Sequence, residues 1–233
     1  MQEHHEAITE RTASPVAHVA PSAHRGSYPL LAEPQQQRSR DSLERVLRAG
    51  LEVLQREGFD GFTVQKASKL AQVSIGSIYA RFSNREALIL AIYEWAMAWT
   101  DELEQRFELE EILSAEGPRA RIEGVVENFA RVLLEHSDRW RVFVRQAPVH
   151  PEIFARGREK TREYHRRFEQ ALLPTAASFR HDDATKALST VFTIVFSSVT
   201  RRISHGADFD GSEMLSDEQL AKELGTVAAD YLL

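Results

Sequence analysis

The 233-residue sequence contains no cysteine. That absence excludes a disulfide framework, thiolate metal sites and a cysteine nucleophile, and it fits a reducing compartment. Long apolar runs are missing too. The longest, Ala187 to Val199, falls short of a membrane span and is broken by Ser189, Thr190, Thr193, Ser197 and Ser198, so a buried helix is predicted there. The opening residues are acidic and histidine-bearing rather than the pattern of a secretory signal; the expected location is the cytoplasm, with no membrane contact. An excess of basic charge is lacking as well. The net charge is −6, so any surface for a polyanion must be local. Residues 35–100 hold nine Lys or Arg against seven Asp or Glu, a local +2 that leaves −8 on the rest. The sign suits a nucleic-acid-binding segment, although the asymmetry is mild.

Catalytic signatures are absent in the same way. There is no phosphate loop, dinucleotide glycine fingerprint, metalloprotease motif or nucleophile elbow, and no enzyme activity is expected. His136, His150, His165, His181 and His205 show no i, i+4 metal-ligand spacing, and no metal or cofactor is expected. No segment alternates as a strand, which leaves an all-α chain.

Residues 1–37 lack an apolar period and carry four of the eight prolines (Pro15, Pro21, Pro29 and Pro34), the composition of a disordered N-terminal extension. Its histidines, including His4, His5, His18 and His24, read as part of a solvated tail. A helical period begins at Arg38. Leu43, Val46, Leu47, Gly50, Leu51 and Leu54 mark one buried face, and Gly58 is placed to end that helix in a left-handed cap. Thr63 can cap a short helix through Ala71, and Ser74 a third to about Tyr79. Ser83-Asn84-Arg85-Glu86 fits a capping box opening a fourth helix, with the stripe Leu88, Ile92, Trp95, Trp99 and Leu103. Further helices are predicted at 118–136 (Pro118 in its first turn), 138–146, from Pro151 to Pro174, 182–205 with a stop at Gly206, and from the capping box Ser216-x-x-Gln219 onward.

Two short helices joined by a tight turn meet the physical needs of a helix-turn-helix, whose second helix enters the major groove while the first crosses the backbone. The crossing needs small side chains, which Ala67, Ser68 and Ala71 supply, and the turn needs an apolar plug, Val73. Ile78 and Phe82, at i, i+4, give the second helix a side to bury. Its other side presents Ser74, Gly76, Ser77, Tyr79 and Arg81. Gly76 permits close backbone approach, and Tyr79 and Arg81 can donate to phosphate oxygens.

The run from Thr63 through Ala71-Gln72-Val73-Ser74-Ile75-Gly76-Ser77-Ile78-Tyr79-Ala80-Arg81-Phe82 to Arg85-Glu86-Ala87-Leu88 resembles the DNA-binding domain of TetR-family transcriptional regulators. The chain departs from that pattern at Gln72, where the family usually has Gly at a turn position, at Arg81 in place of His, at Arg85 in place of Lys, and at Ala67-Ser68 in place of Ile-Ala. A non-Gly residue at a left-handed turn costs on the order of 1 kcal/mol, which is tolerable. The resemblance implies a helix-turn-helix DNA-binding domain over 38–100 and a helical effector-binding and dimerisation domain over 101–233. It implies that Thr63, Gln65, Ser74, Ile75, Gly76, Ser77, Tyr79, Arg81 and Arg85 lie at double-stranded operator DNA. Gln65 and Ile75 would be near bases, able to meet an adenine edge and a thymine methyl. It also implies a homodimer through 182–205 and 216–233, setting two recognition helices about 34 Å or somewhat more apart. The expected function is a transcriptional repressor released from its operator by a small-molecule effector. A helical dimeric scaffold, or an activator without ligand control, is the alternative.

The C-terminal half has an aromatic-rich interior, most of it plain core. A subset is expected to line the effector pocket: Trp95, Trp99, Phe129, Trp140, Phe143, Tyr164 and Phe168. For Trp95 and Trp99, at i, i+4, core packing is at least as good a reading. The basic run Arg156, Arg158, Lys160, Arg162, Arg166 and Arg167 is interleaved with Glu159, Glu163 and Glu169, which favours a solvated helix face over an anion site.

Overall fold

The computed structural model describes residues 37–98, 112, 114–210 and 215–233. The expected disordered extension (apart from residue 37), Trp99 and Leu103 lie outside the described residues. Among the described residues the chain is all helical, with α1 Gln37–Gly61, α2 Val64–Ala71, α3 Ile75–Tyr79, α4 Arg85–Met97, α5 Pro118–Glu135, α6 Ser137–Gln146, α7 Pro151–Leu172, α8 Ala184–His205 and α9 Asp217–Leu232. Short 3-10 turns follow α6, α7 and α8. No helix among the described residues is long and apolar enough to cross a membrane.

Local chemistry sets most of these limits. Gly58 interrupts α1 at φ 70°, a value costly for any residue with a Cβ, and the chain continues for one more turn to Gly61 beyond that kink. Thr63 Oγ1 accepts from the Lys66 amide at 3.2 Å and starts α2. α2 ends at Gln72, which stands in the left-handed region (φ 55°, ψ 42°) usually left to glycine. Ser74 Oγ accepts from the Ser77 amide at 3.1 Å to open α3. At α4 the cap lies one residue later than the Ser83 box anticipates. Asn84 is extended and its Oδ1 accepts from the Ala87 amide at 2.8 Å, so Glu86 sits in the first turn instead of closing a box. Asn competes well with Ser for this role because its carbonyl reaches the same amides. Asp183 caps α8, and α9 carries the Ser216–Gln219 box with both reciprocal bonds made.

Two apolar cores result. The first joins α1 to α4 and includes Leu47, Leu54, Phe62, Ile78, Leu88 and Ile92, with Phe143 of α6 and Ile153 of α7 inserted from the second half. The second joins α5, α7, α8 and α9 around Phe129, Phe168, Leu188 and Val199, with Trp140 of α6. α5 and α9 run closely together: a Cβ at Gly225 would stand 3.0 Å from the Glu123 carbonyl oxygen, so any larger residue would have to push the two backbones apart by a few tenths of an ångström. α4 departs from the single stripe expected of it. Leu88, Ile89, Ala91, Ile92, Tyr93, Glu94 and Ala96 are all buried, because the helix is covered by α1 on one side and by α6 and α7 on another. α4 thus packs both on α1 and on α6 and α7 of the second half.

Candidate nucleic-acid interface and an apolar cavity

α2 and α3 owe their relative placement to contacts behind the turn. Ala67 and Ala71 are buried, and Ser68 Oγ donates to the Val73 carbonyl at 2.6 Å, tying the turn to the helix before it. Arg45 Nε of α1 donates to the Ala71 carbonyl at the end of α2. Ile78 and Phe82 are buried beneath α3. The opposite side of the unit is open. Gln65, Ser74, Gly76 and Ser77 are exposed, Ile75 is 38% exposed and Tyr79 48% exposed. These two side chains stand one helical turn apart on the accessible side of α3. A Cβ at Gly76 would meet nothing within 4 Å, so packing inside the protein does not call for glycine there.

The remaining interface candidates are committed internally. Thr63 is half-buried and spends its hydroxyl on capping α2. Arg81 reaches back to the start of α1, donating through Nη2 to the Ser39 carbonyl at 3.3 Å and to the Ser39 hydroxyl. Arg85 donates through Nε to the Phe62 carbonyl at 3.1 Å and through Nη2 to the Phe59 carbonyl, closing the junction between α1 and α2. Its Nη1 pairs with Glu86 at 2.9 Å, and hydrogen bonding from Arg85 holds the Glu86 carboxyl below its usual range. Of the nine candidates, Gln65, Ser74, Ile75, Gly76, Ser77 and Tyr79 are exposed along α2 and α3, while the side chains of Thr63, Arg81 and Arg85 bond within the chain.

A cavity of about 560 Å³ lies between α4, α6, α7 and α8, within the roughly 300–1,000 Å³ of small-molecule sites. Trp140, Phe143 and Tyr164 line it. Phe129 and Phe168 do not; both are fully buried behind Phe192, their rings 5.7 and 5.6 Å from it, and are core. Trp95 is also absent from the wall. Tyr93 and Met97, at i, i+4 on α4, face the cavity, and Trp95 stands about 200° around the helix from Tyr93, packed on the first core. Trp99 lies outside the described residues.

Sequence reasoning left out of the pocket the stacked pair Phe192 and Phe196 (5.5 Å, 8° between planes) and His165, stacked on Phe192 at 4.6 Å. It also left out Tyr93, whose phenol is pushed up to about 12, chiefly by burial. The i, i+4 spacing of Phe192 and Phe196 on an apolar helix was the available signal, although core packing produces the same spacing. Among the described residues no cluster of His, Asp or Glu could hold a metal.

Two family models match the chain: bacterial regulatory proteins of the tetR family over residues 46–92, and the tetracyclin repressor-like C-terminal domain over residues 115–200. No curated protein matches the sequence. Solved structures share the fold at low identity. A TetR transcription regulator from Haloarcula marismortui is 19% identical with a TM-score of 0.58, the match covering 83% of this chain and 98% of that one. The fatty acid degradation regulator FadR from Bacillus halodurans is 16% identical with a TM-score of 0.61, covering 84% and 97%. FadR from Bacillus subtilis, in complex with stearoyl-CoA, is 16% identical with a TM-score of 0.61, covering 82% and 99%.

Proposed function

The chain belongs to the TetR family of bacterial regulatory proteins and is a transcriptional regulator; from that premise we propose that it is a cytoplasmic repressor, not an enzyme, that leaves its operator when a small molecule fills the cavity. The observation that carries the DNA-binding part is the open face of α2 and α3. Ile75 and Tyr79 are accessible there, and Gly76 has free space above it, so a duplex can approach the backbone of α3 closely. In this reading Gln65, Ile75, Gly76, Ser77 and Tyr79 meet the duplex. Thr63 and Ser74 cap the two helices, and Arg81 and Arg85 brace the unit and add local positive potential.

Two copies are needed to span successive major grooves. The proposed dimer forms through 182–205 and 216–233. Ile194 on α8 and Val227 on α9 support it, being 46% and 52% exposed in one copy. Their burial in a four-helix interface removes apolar surface from water.

Effector control rests on where the cavity lies. Its wall includes Tyr93 and Met97 of α4, the helix that also packs on α1, so a ligand there can bias the angle between the two halves. A few kcal/mol of difference between the DNA-fitting and ligand-fitting states suffices to empty an operator. The domain division that follows is 38–100 for DNA and 101–233 for effector and dimer. The test is selection of fragments of the source genome on the purified protein, followed by titration of the best fragment at several salt concentrations. Sequence-selective binding with a steep negative salt slope is expected. Failure to retain any fragment at low salt overturns the reading.

A further inference from the structure

The basic run on α7 resolves into three groups. Arg156 pairs with Glu94, while Lys160 and Arg167 both pair with Glu163 at 3.1 Å, and Arg166 reaches the same carboxylate at 4.0 Å. Although burial opposes ionisation of Glu163, hydrogen bonds and charge from Lys160 and Arg167 hold its carboxyl below the usual range. Arg158 and Arg162 remain. They stand one helical turn apart, both exposed, both on the cavity wall, and among the described residues neither makes an ion pair or hydrogen bond.

From this arrangement we infer that the cavity takes an amphipathic anion, its carboxylate or phosphate head held by Arg158 and Arg162 and its apolar tail lying among the rings of Trp140, Phe192 and Phe196. The inference rests on the reading of the cavity as an effector site and adds the chemical class of the effector.

Two features make the site selective. Adjacent guanidinium groups at i, i+4 repel one another, and a helix keeps such a pair more cheaply when an anion sits between them. Guanidinium also matches the planar geometry of carboxylate and phosphate oxygens, two at a time. Toward the interior, Trp140 is 8% exposed and its buried indole Nε1 has no acceptor among the described residues. A ligand oxygen beyond the head satisfies that donor, whereas a pure hydrocarbon leaves it unpaired. The rest of the wall is mainly apolar, including Phe143, Val144, Ile153 and Ile203, with Lys160, Thr161, His165, Thr193 and Thr200 as its other polar members. An inorganic ion fits the arginines but not this wall, and an uncharged alkane fits the wall but not the arginines.

The experiment measures binding to the full chain, without DNA, of four 14-carbon probes below their micellar concentrations: tetradecanoate, tetradecyl phosphate, 1-tetradecanol and tetradecyltrimethylammonium. Tryptophan fluorescence, to which Trp140 contributes, gives one readout and equilibrium dialysis another. The two anions are expected to bind at least about 10-fold more tightly than the alcohol, and the cation most weakly; the tighter anion identifies the head. Arg158→Gln with Arg162→Gln should remove the anion preference while leaving alcohol binding within about 2-fold. Arg166→Gln, a basic residue away from the cavity, should change nothing. Equal binding of anion and alcohol by the wild-type chain overturns the inference, as does an unaltered preference in the double variant or an equal loss in Arg166→Gln. Should the double variant melt early, each single substitution is read in its place. Because no DNA is present, failure here leaves operator binding to be judged by fragment selection, and failure there leaves the ligand class standing.

Discussion

Glu94 on α4 forms a salt bridge with Arg156 on α7, and the two side chains are only 9% and 29% exposed. The pair crosses the seam between the halves of the molecule. Its neighbours in sequence, Tyr93 and Gly157, both line the cavity. Removing one member leaves the other charge in a poorly hydrated place, so Glu94→Gln should cost about 2–3 kcal/mol, discounted for the exposure of Arg156. Thermal melting measures the loss. If the pair also transmits cavity occupancy to α4, the variant should still bind operator while showing a smaller effector-induced change in affinity. A cycle with Arg156→Met separates the pairwise coupling from the cost of an orphaned charge.

Tyr93 provides a handle on the same seam at high pH. Burial pushes its phenol up to about 12, against about 10 in the unfolded chain. Between those values the unfolded chain loses the proton and the folded one keeps it. Stability from this group is therefore complete below pH 10 and is lost as the pH rises toward 12. The loss is at most about 3 kcal/mol. Denaturant melts from pH 9 to 12 should show that decline in the wild-type chain and a shallower one in Tyr93→Phe. Identical slopes would mean that Tyr93 ionises in the folded state as readily as in the unfolded one.

The helix starts were legible because a side-chain cap is a local event: Thr63, Ser74 and Ser216 act within three residues of themselves. Ser83 misled by one position because Asn84 offers the same chemistry one residue on, and which of them turns extended depends on how α4 meets α1. The left-handed turn at Gln72 was legible only as a departure from a family pattern, since nothing in a glutamine announces positive φ. The cavity was half-legible. Aromatic content marks an apolar interior, but whether Phe129 or Phe192 reaches the void is decided by the packing of four helices. The pairing of α7's basic residues was hidden for a related reason, since Arg156 is claimed by a carboxylate 62 positions earlier in the chain. Without that contact, the six basic residues look alike.

Arg85 separates bracing from DNA contact. Its guanidinium donates to the Phe59 and Phe62 carbonyls and lies 5.8 Å from the centre of the Phe62 ring. Arg85→Ala strips a donor from both carbonyls and should lower stability by about 1–3 kcal/mol. Arg85→Lys should recover only part of this, because a single ammonium does not reproduce the planar fork. With the protein kept folded, the salt dependence of operator binding should flatten by less than one charge, since the side chain is engaged within the chain. A drop in the slope of about one full unit would instead put Arg85 directly on a phosphate.

Gly76→Ala tests the interface while sparing the fold. A Cβ there has nothing within 4 Å, and the residue is helical, so alanine should leave stability unchanged or raise it by roughly 0.5–1 kcal/mol. On a duplex the same methyl group would stand between α3 and the phosphates or base edges that the helix approaches. Operator affinity should therefore fall at least about 10-fold with no loss in melting temperature, a combination that a misfolded variant does not produce. Tyr79→Phe, which removes a hydroxyl from a half-exposed side chain, should weaken binding about 2- to 10-fold, the worth of one hydrogen bond. Unchanged affinity in both variants would move the DNA away from this face of α3, whatever else the protein binds.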